Sequence, residues 1–284
     1  MSDKTTGQAV SLPERLARFS LEGRVAMITG AGSGMGRACA LMFAAAGAHV
    51  LAADIDAAAL EELEAENDGA GEIQPAPLDA TDLDAVRAFL ATVEADHGRL
   101  DVLFNHAGSA CAPGLELTEE DWLKGTDLNL RVPVLLTAAA LPLLRRSESA
   151  SLIYTGSIAA LVASPNSPLY SAMKGGIMMF AKSVAAGLGP EGIRANVICP
   201  GTMETPMLID FFRGTPGGLA AAESNGVVTR TDVDDGVGRF AEQVPLRRTG
   251  QPDEVAELAL FLASDASRYV TGAAIPVDGG YVAR

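Results

Sequence analysis

Short apolar runs alternate with longer segments of helical periodicity along most of the 284-residue chain. Apolar runs that end in glycine, proline or aspartate predict buried strands, and amphipathic segments of ten or more residues predict helices. The predicted strands cover residues 24–29, 49–54, 71–79, 100–108, 151–157, 193–201 and 273–280. The predicted helices cover residues 36–48, 55–67, 83–98, a long segment ending at Leu144, 170–189 and 254–264. This alternation predicts an α/β fold, a doubly wound parallel sheet of about seven strands with helices on both faces.

No internal repeat, low-complexity tract or linker interrupts residues 21–284, so we expect a single domain there. Residues 1–20 are an N-terminal arm, in which "SLPE" at 11–14 has the serine cap and first-turn proline of a short helix. The pattern leaves open whether this arm is a flexible tail or clasps another subunit.

The chain carries 21 Lys+Arg against 36 Asp+Glu, a formal net charge of −15, which argues against nucleic acid or an anionic membrane as a partner. The three cysteines, Cys39, Cys111 and Cys199, lack the spacing of a disulfide framework or a zinc site. We therefore expect no metal and a reduced, cytoplasmic compartment. The N-terminus has no signal-peptide pattern, and the apolar run from Val132 is shorter than the ~20 residues of a membrane span.

A glycine-rich turn, "TGAGSGMG" at residues 29–36, joins the first predicted strand to the first predicted helix. Glycines here let the backbone approach a pyrophosphate bound at the helix N-terminus, so the turn predicts dinucleotide binding in a Rossmann-type fold. Asp54 ends the second strand, where an acid can bond the adenosine ribose hydroxyls, although it could also cap the following helix. Its charge would repel a 2′-phosphate, and Ser33 offers no compensating base, so NAD is favoured over NADP.

Tyr170 and Lys174 lie four positions apart in "YSAMK", so their side chains share one face of a helix. A free tyrosine titrates near ~10, but a neighbouring positive charge favours the phenolate and makes the hydroxyl a better acid-base group. The pair alone decides nothing, because this spacing also occurs by chance on helix surfaces.

Taken together, the motifs resemble those of the short-chain dehydrogenase/reductase family in its short, single-domain form. They occur in the family's order and cover nearly the whole chain. The matching positions are Thr29, Gly30, Gly34 and Gly36 in the glycine turn, "NHAG" at 105–108, Asn129, Ser157 thirteen residues before Tyr170, Lys174, "PG" at 200–201, Thr205 and "VDGG" at 277–280. Several motifs in register predict that Tyr170 and Lys174 are catalytic.

The resemblance implies that hydride passes between a secondary carbon and a nicotinamide while Tyr170 transfers the proton. Ser157 is implied to hold the substrate oxygen. Lys174 and the positive ring of the nicotinamide are implied to favour the tyrosine phenolate, and Lys174 also to bond the nicotinamide ribose. Asn129 is implied to open its helix locally and anchor a water that links Lys174 to solvent. The catalytic set predicted in this way is Asn129, Ser157, Tyr170 and Lys174.

The same resemblance implies contacts along the whole cofactor, from the pyrophosphate turn and the adenine to the nicotinamide carboxamide. The implied cofactor-binding residues are Gly30, Ser33, Gly34, Met35, Gly36, Asp54, Asp79, Ala80, Asn105, Ala107, Gly108, Tyr170, Lys174, Pro200, Gly201, Met203 and Thr205.

Three stretches depart from the family pattern. His106 replaces the second asparagine, and we interpret it as a packing or backbone-bonding residue rather than a catalytic one. Gly156 stands where a serine is frequent, which predicts a different polar environment behind Ser157. Residues 206–244 are long for the family and carry an apolar "MLIDFF" stretch, which predicts a mobile substrate lid or, alternatively, a loosely ordered surface insertion. Leu208, Phe211 and Phe212 would form an apolar wall of such a lid.

We therefore expect an NAD(H)-dependent alcohol dehydrogenase or ketone reductase with a medium-sized apolar substrate, because no basic cluster marks a phosphate subsite. A non-catalytic NAD-sensing regulator on the same fold is the alternative, although such proteins typically lose the tyrosine or the lysine. The Tyr-Lys interval disfavours an enoyl reductase, and the short C-terminal region disfavours a sugar-nucleotide epimerase. Apolar helices at 131–144 and 170–189 match faces that pack between subunits in relatives, so we expect a homotetramer or, failing that, a dimer.

Overall fold

A computed structural model describes residues 11–206, 208, 238 and 241–284. Residues 1–10 of the arm and most of the predicted 206–244 lid, including Phe211 and Phe212, lie outside the described residues. The described strands are β1 (Val25–Thr29), β2 (His49–Asp54), β3 (Glu72–Pro77), β4 (Val102–Asn105), β5 (Ser151–Thr155), β6 (Arg194–Pro200) and β7 (Ala274–Val277). They form one sheet in the order β3-β2-β1-β4-β5-β6-β7, with every neighbouring pair parallel. The predicted doubly wound, Rossmann-type α/β sheet is confirmed.

Helices connect the strands and cover the sheet. They are α1 (Leu12–Leu16), α2 (Gly34–Ala45), α3 (Ala57–Glu66), α4 (Leu83–His97), α5 (Glu119–Thr126), α6 (Val132–Leu144), α7 (Pro168–Leu188) and α8 (Pro252–Ala263). Local sequence explains several of their ends: the Asp56 and Asp82 side chains cap the first turns of α3 and α4, and Gly98 ends α4 in a left-handed conformation. The predicted serine-capped helix of the arm is present as α1, where Ser11 and Glu14 form a capping box.

Alternate residues of each strand feed two separate apolar layers, because successive side chains of a strand point to opposite faces of the sheet. Met27 and Leu103 face one layer, into which α4, α6 and α7 pack. Ile28 and Phe104 face the other layer, which is closed by α2, α3 and α8. Both faces of the sheet are therefore buried, which explains why the strands read as continuous apolar runs rather than as alternating patterns.

The predicted helix that ends at Leu144 begins much earlier than its apolar part indicates. α5 and α6 are joined by a π-helical turn at Asp127–Arg131, so one continuous helix runs over Glu119–Leu144. Among the described residues, this is the one helix long and apolar enough to cross a bilayer by length and composition. Its apolar part packs on the sheet, with Leu136, Ala140 and Leu144 buried in the core, which is the position of a core helix.

The predicted strands overrun the observed ones mainly at their carboxyl ends. β4 ends at Asn105 and β5 at Thr155, so residues 106–108 and 156–157 leave the ladder although the predicted strands include them. The strand order reverses between β1 and β4, and the carboxyl edge at such a reversal is where doubly wound sheets bind ligands. The residues that leave the ladder therefore lie at the candidate site.

Candidate active site

The turn between β1 and α2 is shaped by glycines whose side-chain positions are occupied by neighbouring backbone. Gly30 and Gly34 have left-handed φ angles of 71° and 53°. A Cβ at Gly36 would lie 1.9 Å from the Gly30 carbonyl oxygen, so the first turn of α2 can pack here only without a side chain. Ser33 precedes this turn, is exposed, and makes no side-chain cap bond. The result is an uncapped helix N-terminus beside a side-chain-free turn, which fits a pyrophosphate.

Asp54 supports this turn from the end of β2. One of its carboxylate oxygens accepts a hydrogen bond from the Gly32 N–H at 2.9 Å, and the other accepts from the Asp56 N–H at 3.1 Å. The alternative in which Asp54 caps α3 is wrong, because the cap is Asp56, whose side chain accepts from the Ala59 N–H. Asp54 is only partly buried, and each of its oxygens has a further lone pair, so the carboxylate fits a ribose hydroxyl donor.

Tyr170 and Ser157 meet above the carboxyl end of β5. Tyr170 lies in the first turn of α7 with the Ser157 side chain beside its hydroxyl, and this neighbour acts to lower the pKa of the phenol. The Ser157 hydroxyl oxygen also accepts from the Ala159 N–H at 3.1 Å and so caps a short 3₁₀ turn at Ile158–Ala160. This local cap fixes the serine, and both hydroxyls can therefore face the same substrate oxygen.

Lys174 lies one turn further along α7, with its Nζ 5.5 Å from the centre of the Tyr170 ring. The ammonium donates a hydrogen bond to the Thr155 carbonyl oxygen at 3.0 Å, and the side chain is buried at 3% exposure. Burial lowers the pKa of Lys174 to about 8. Two of its three N–H groups remain for other acceptors, so the lysine can serve Thr155 and a ribose at the same time.

Burial dominates the pKa of Tyr170 in the cofactor-free protein. It raises this pKa to about 12, against the opposing effect of the Ser157 side chain. The expected lowering depends on Lys174 together with the positive nicotinamide ring, so it stays a prediction for the cofactor-bound enzyme.

Asn129 lies within the π-helical turn and is 2% exposed. Its amide donates to the carbonyl oxygens of Gly125 and Ser109, each at 3.0 Å, and its Oδ1 accepts from the Ser109 N–H at 3.3 Å. A Cβ at Gly108 would lie 3.0 Å from Asn129 Oδ1 and 3.4 Å from Lys174 Nζ. The helix is thus locally wide at Asn129, and the asparagine and the lysine border the same small space.

The remaining predicted cofactor residues lie along the same edge, with different exposures. Thr205 contacts the glycine turn, since a Cβ at Gly34 would lie 3.3 Å from its methyl group. Met203 is buried and packs over Gly250, whereas Asp79 is exposed and accepts two hydrogen bonds from Thr81. The other predicted residues lie in the first turn of α2 or at the carboxyl ends of the strands. They are Met35, Ala80, Ala107, Pro200 and Gly201.

Asn105 is the predicted cofactor residue whose side chain is directed into the core. It is 5% exposed, and its amide nitrogen lies 3.4 Å from the Thr137 hydroxyl on α6. Its Oδ1 has no hydrogen-bond partner among the described residues. The side chain therefore supports the packing of α6 on β4, and its neighbours Ala107 and Gly108 form the surface at this point.

The space behind Ser157 is apolar. This agrees with the presence of Gly156 where the family frequently has a serine. A Cβ at Gly156 would lie 2.6 Å from the Val197 side chain and 3.1 Å from the Cys199 sulfur. A serine at this position would not fit without displacing β6 side chains. Gly156 is therefore explained by the bulk of its neighbours on β6.

Cys111 and Thr155 are site residues that the sequence did not reveal. The Cys111 sulfur lies 3.7 Å from the Asn129 amide nitrogen, and burial raises the pKa of this thiol. Thr155 supplies the carbonyl that holds Lys174. Neither belongs to a motif, and only the meeting of separate strands and loops reveals their position.

Comparisons with known proteins agree with this arrangement. A family model described as short chain dehydrogenase matches residues 24–215, and one described as Enoyl-(Acyl carrier protein) reductase matches residues 228–282. The chain is 36% identical over 267 residues to 3-oxoacyl-[acyl-carrier-protein] reductase FabG of Thermotoga maritima, covering 92% of this chain and 99% of that protein. It is 36% identical over 277 residues to 2-keto-3-deoxy-L-fuconate dehydrogenase of Xanthomonas campestris, covering 97% and 85%. The solved structure of levodione reductase superposes with a TM-score of 0.82 at 30% identity, covering 92% and 98%.

The fold and the site define an oxidoreductase that uses a nicotinamide cofactor and acts on CH–OH or keto groups. The chain belongs to the short-chain dehydrogenase/reductase family.

Gly36→Ala tests the close packing of the glycine turn. The added methyl group would contact the Gly30 carbonyl at 1.9 Å, so the first turn of α2 must shift and lose its alignment with a pyrophosphate. We expect the Kd for NADH, measured by fluorescence titration, to rise by about tenfold or more. Gly187→Ala in α7 is the matched control, because nothing lies within 4 Å of a Cβ there. Equal affinity in both variants would contradict the proposed contact.

Proposed function

We propose that the protein is an NAD(H)-dependent dehydrogenase or reductase that interconverts a secondary alcohol and its ketone. The observation that carries this proposal is the convergence of the Ser157 and Tyr170 hydroxyls with Lys174 at the sheet edge that also bears the glycine turn. Each group has a role that hydride transfer requires, and all of them lie where a dinucleotide would place its reactive ring.

NAD is supported as the cofactor by the carboxylate of Asp54. The turn holds this carboxylate in place through the Gly32 N–H, beside the position of the adenosine ribose. A 2′-phosphate there would face a negative charge at a few ångströms, and the uncharged Ser33 would not offset the repulsion. One similar structure, a putative NAD(P) dependent gluconate 5-dehydrogenase with bound NADP, shows that relatives differ in this respect.

The bound nicotinamide would supply or accept the hydride. Ser157 would donate a hydrogen bond to the substrate oxygen and hold it against the Tyr170 hydroxyl. Tyr170 would give its proton to the ketone oxygen in reduction and take the proton of the alcohol in oxidation. Because burial keeps the phenol protonated in the cofactor-free protein, alcohol oxidation requires positive charge from Lys174 and from the bound cofactor together.

Proton exchange with solvent would pass from Tyr170 along Lys174 towards Asn129. Lys174 Nζ and Asn129 Oδ1 both border the space at Gly108, which is close enough for one bridging water. The π-helical turn holds Asn129 in this position within the helix that runs over Glu119–Leu144. Asn129 would therefore act on Tyr170 through Lys174.

The proposed substrate is a medium-sized, apolar cyclic secondary alcohol or the corresponding ketone. The support is the similarity to levodione reductase over almost the whole of both chains, together with the absence of a basic cluster in the sequence. Leu208 is the described residue of the predicted apolar wall, and residues 206–244 would cover the substrate as a lid. Residues 21–284, which include this lid, would act as one catalytic domain.

The NAD-sensing regulator is less well supported, because Ser157, Tyr170 and Lys174 are all present, with Tyr170 beside Ser157 and Lys174 Nζ 5.5 Å from the centre of the Tyr170 ring. Reduction of a carbon–carbon double bond is disfavoured by the four-residue interval between Tyr170 and Lys174. We assign the protein to the cytoplasm on its reduced cysteines and its sequence pattern.

Tyr170→Phe tests the proposed chemistry. A panel of cyclic secondary alcohols with NAD⁺, followed by NADH absorbance, should identify a substrate of the unaltered enzyme. The phenylalanine variant should lose about 10³-fold or more in kcat, because it has no proton to transfer. Since oxidation needs the phenolate, its kcat in the unaltered enzyme should rise with pH, whereas that of ketone reduction should fall. Retained turnover in the variant, or activity on carbon–carbon double bonds alone, would refute the assignment.

Asp54→Arg tests the cofactor preference. Replacing the carboxylate by a cation should move the ratio of kcat/KM values towards NADP by about a hundredfold or more, because a 2′-phosphate gains a partner and loses a repelling charge. Asp54→Asn is the matched control, since its Oδ1 keeps an acceptor for the Gly32 N–H while removing the charge. An unchanged ratio in the arginine variant would show that Asp54 does not face the ribose.

We propose a homotetramer formed through the outer faces of α5, α6 and α7. Trp122, Leu123 and Met179 are 49%, 59% and 56% exposed on these helices, which is unusual for large apolar side chains. Light scattering after gel filtration should give about four times 29.2 kDa. Met179→Lys should lower this mass, whereas Glu64→Lys on the exposed face of α3 should not. A monomer in the unaltered protein would overturn the proposal.

A further inference from the structure

His106 stands where the ladder between β4 and β5 has just ended. The last pair in register is Asn105 with Tyr154, so His106 and Thr155 are the next residues on each side. Their side chains continue the connection, with His106 Nδ1 at 2.8 Å from the Thr155 hydroxyl oxygen. This bond holds the two chain segments together at the point where they would otherwise separate.

Thr155 makes two hydrogen bonds, one from its side chain to His106 and one from its backbone to Lys174. Its carbonyl oxygen accepts the hydrogen bond from Lys174 Nζ at 3.0 Å. Ser157 follows two residues later, so the position of Thr155 sets the position of both catalytic groups. Movement of Thr155 away from β4 would therefore change the distance between Lys174 and the Tyr170 ring.

The other edge of the imidazole contacts the glycine turn. A Cβ at Gly36 would lie 2.8 Å from His106 Cδ2, and one at Gly30 would lie 3.4 Å from the same atom. The backbone N–H of His106 donates to the Thr29 hydroxyl at 3.1 Å, and the ring packs on Phe104 at 5.3 Å between centres. The ring thus fills the space beneath the turn that would bind the pyrophosphate.

Burial is the main reason that the ring stays neutral. Burial and the nearby Lys174 together lower the pKa of His106 to about 4, against the opposing effect of Asp54. A neutral imidazole can share one hydrogen bond with a threonine hydroxyl without placing a second positive charge beside the lysine. This geometry suits a fixed supporting role, and a proton carrier at this position would be poorly matched to neutral pH.

We infer that His106 is a positioning residue with two separable contacts: its Nδ1 bond to Thr155 orients Lys174, and its ring supports the glycine turn. The bond would act on catalysis, and the ring would act on cofactor affinity. The inference rests on the proposed function, and it goes beyond it by assigning a role to the residue at which this chain departs from the family motif.

Three variants separate the two contacts. His106→Phe keeps a ring beneath the turn and removes the bond, and Thr155→Val removes the same bond from the other side with little change in shape. We expect both to lower kcat by about tenfold, with the Kd for NADH changed by less than about threefold, and to shift the pH profile of kcat. The double variant should be no slower than either single variant, because one bond is lost in all three.

His106→Asn keeps a hydrogen-bonding side chain and removes the ring. We expect the opposite result, a Kd for NADH raised about fivefold or more and a kcat closer to that of the unaltered enzyme, because a space opens beneath the turn. His97→Phe, at the other end of the sheet, is the control for loss of a histidine and should change neither quantity. Thermal unfolding checks that each variant is folded.

The ¹⁵N chemical shift of His106 Nδ1 provides a measurement that does not depend on turnover. Thr155→Val should change this shift in the cofactor-free protein, and His97→Phe should not. If no alcohol is oxidised by the unaltered enzyme, the proposed function fails, while the NADH titrations and the ¹⁵N shift still test His106. A kcat within twofold in both His106→Phe and Thr155→Val, additive losses in the double variant, or an unchanged Kd in His106→Asn would overturn the inference.

Discussion

Parallel pairing of β4 between β1 and β5 is the constraint on which the site depends. Parallel strands place all their carboxyl ends at one edge, so the glycine turn after β1, residues 106–108 after β4 and Ser157 after β5 must be neighbours. The connections from β1 and β4 leave towards opposite faces of the sheet, which opens a crevice between them. A cofactor site and a catalytic site are therefore adjacent before any side chain is considered.

Close backbone approach then decides which residues can line that crevice. Gly36 has no room for a Cβ because the Gly30 carbonyl occupies its place, and Gly156 has none because Val197 does. The first case matches a family motif and the second departs from a frequent family residue, yet the physical reason is the same. A glycine is required at this edge where a neighbouring strand or turn occupies the space of a Cβ, so the neighbour determines whether another residue fits.

Burial controls the electrostatics of Tyr170 and Lys174, the proposed catalytic pair. It raises the pKa of Tyr170 to about 12 and lowers that of Lys174 to about 8, so both charged forms are disfavoured in the protein by itself. The same removal of water strengthens every remaining interaction between charges. A cofactor that brings its own positive charge would consequently have a larger effect on Tyr170 here than on a phenol in water, which suits a reaction that must wait for its cofactor.

The sheet and the helices could be predicted from the sequence alone, and the sequence also supplied the candidate reactive groups. Buried strands and amphipathic helices leave periodic patterns, and the glycine turn and the Tyr170–Lys174 pair are local in the chain, so their spacing can be read directly. The ends of β4 and β5 before residues 106–108 and 156–157 could not be predicted, because the point at which a strand stops pairing depends on its neighbouring strands and not on its own residues. Likewise the pattern marked only the apolar half of the Glu119–Leu144 helix, since the polar half faces away from the core.

How these groups are held and charged depends on contacts between segments that are distant in the sequence. The bond between His106 and Thr155 joins residues from different strands, and the bond between Thr155 and Lys174 joins a strand to a helix. Cys111 comes close to Asn129 through a loop that no motif marks. Contacts of this kind depend on the three-dimensional distance between segments, and the direction of the Tyr170 pKa shift depends on burial, which a spacing of four residues cannot encode.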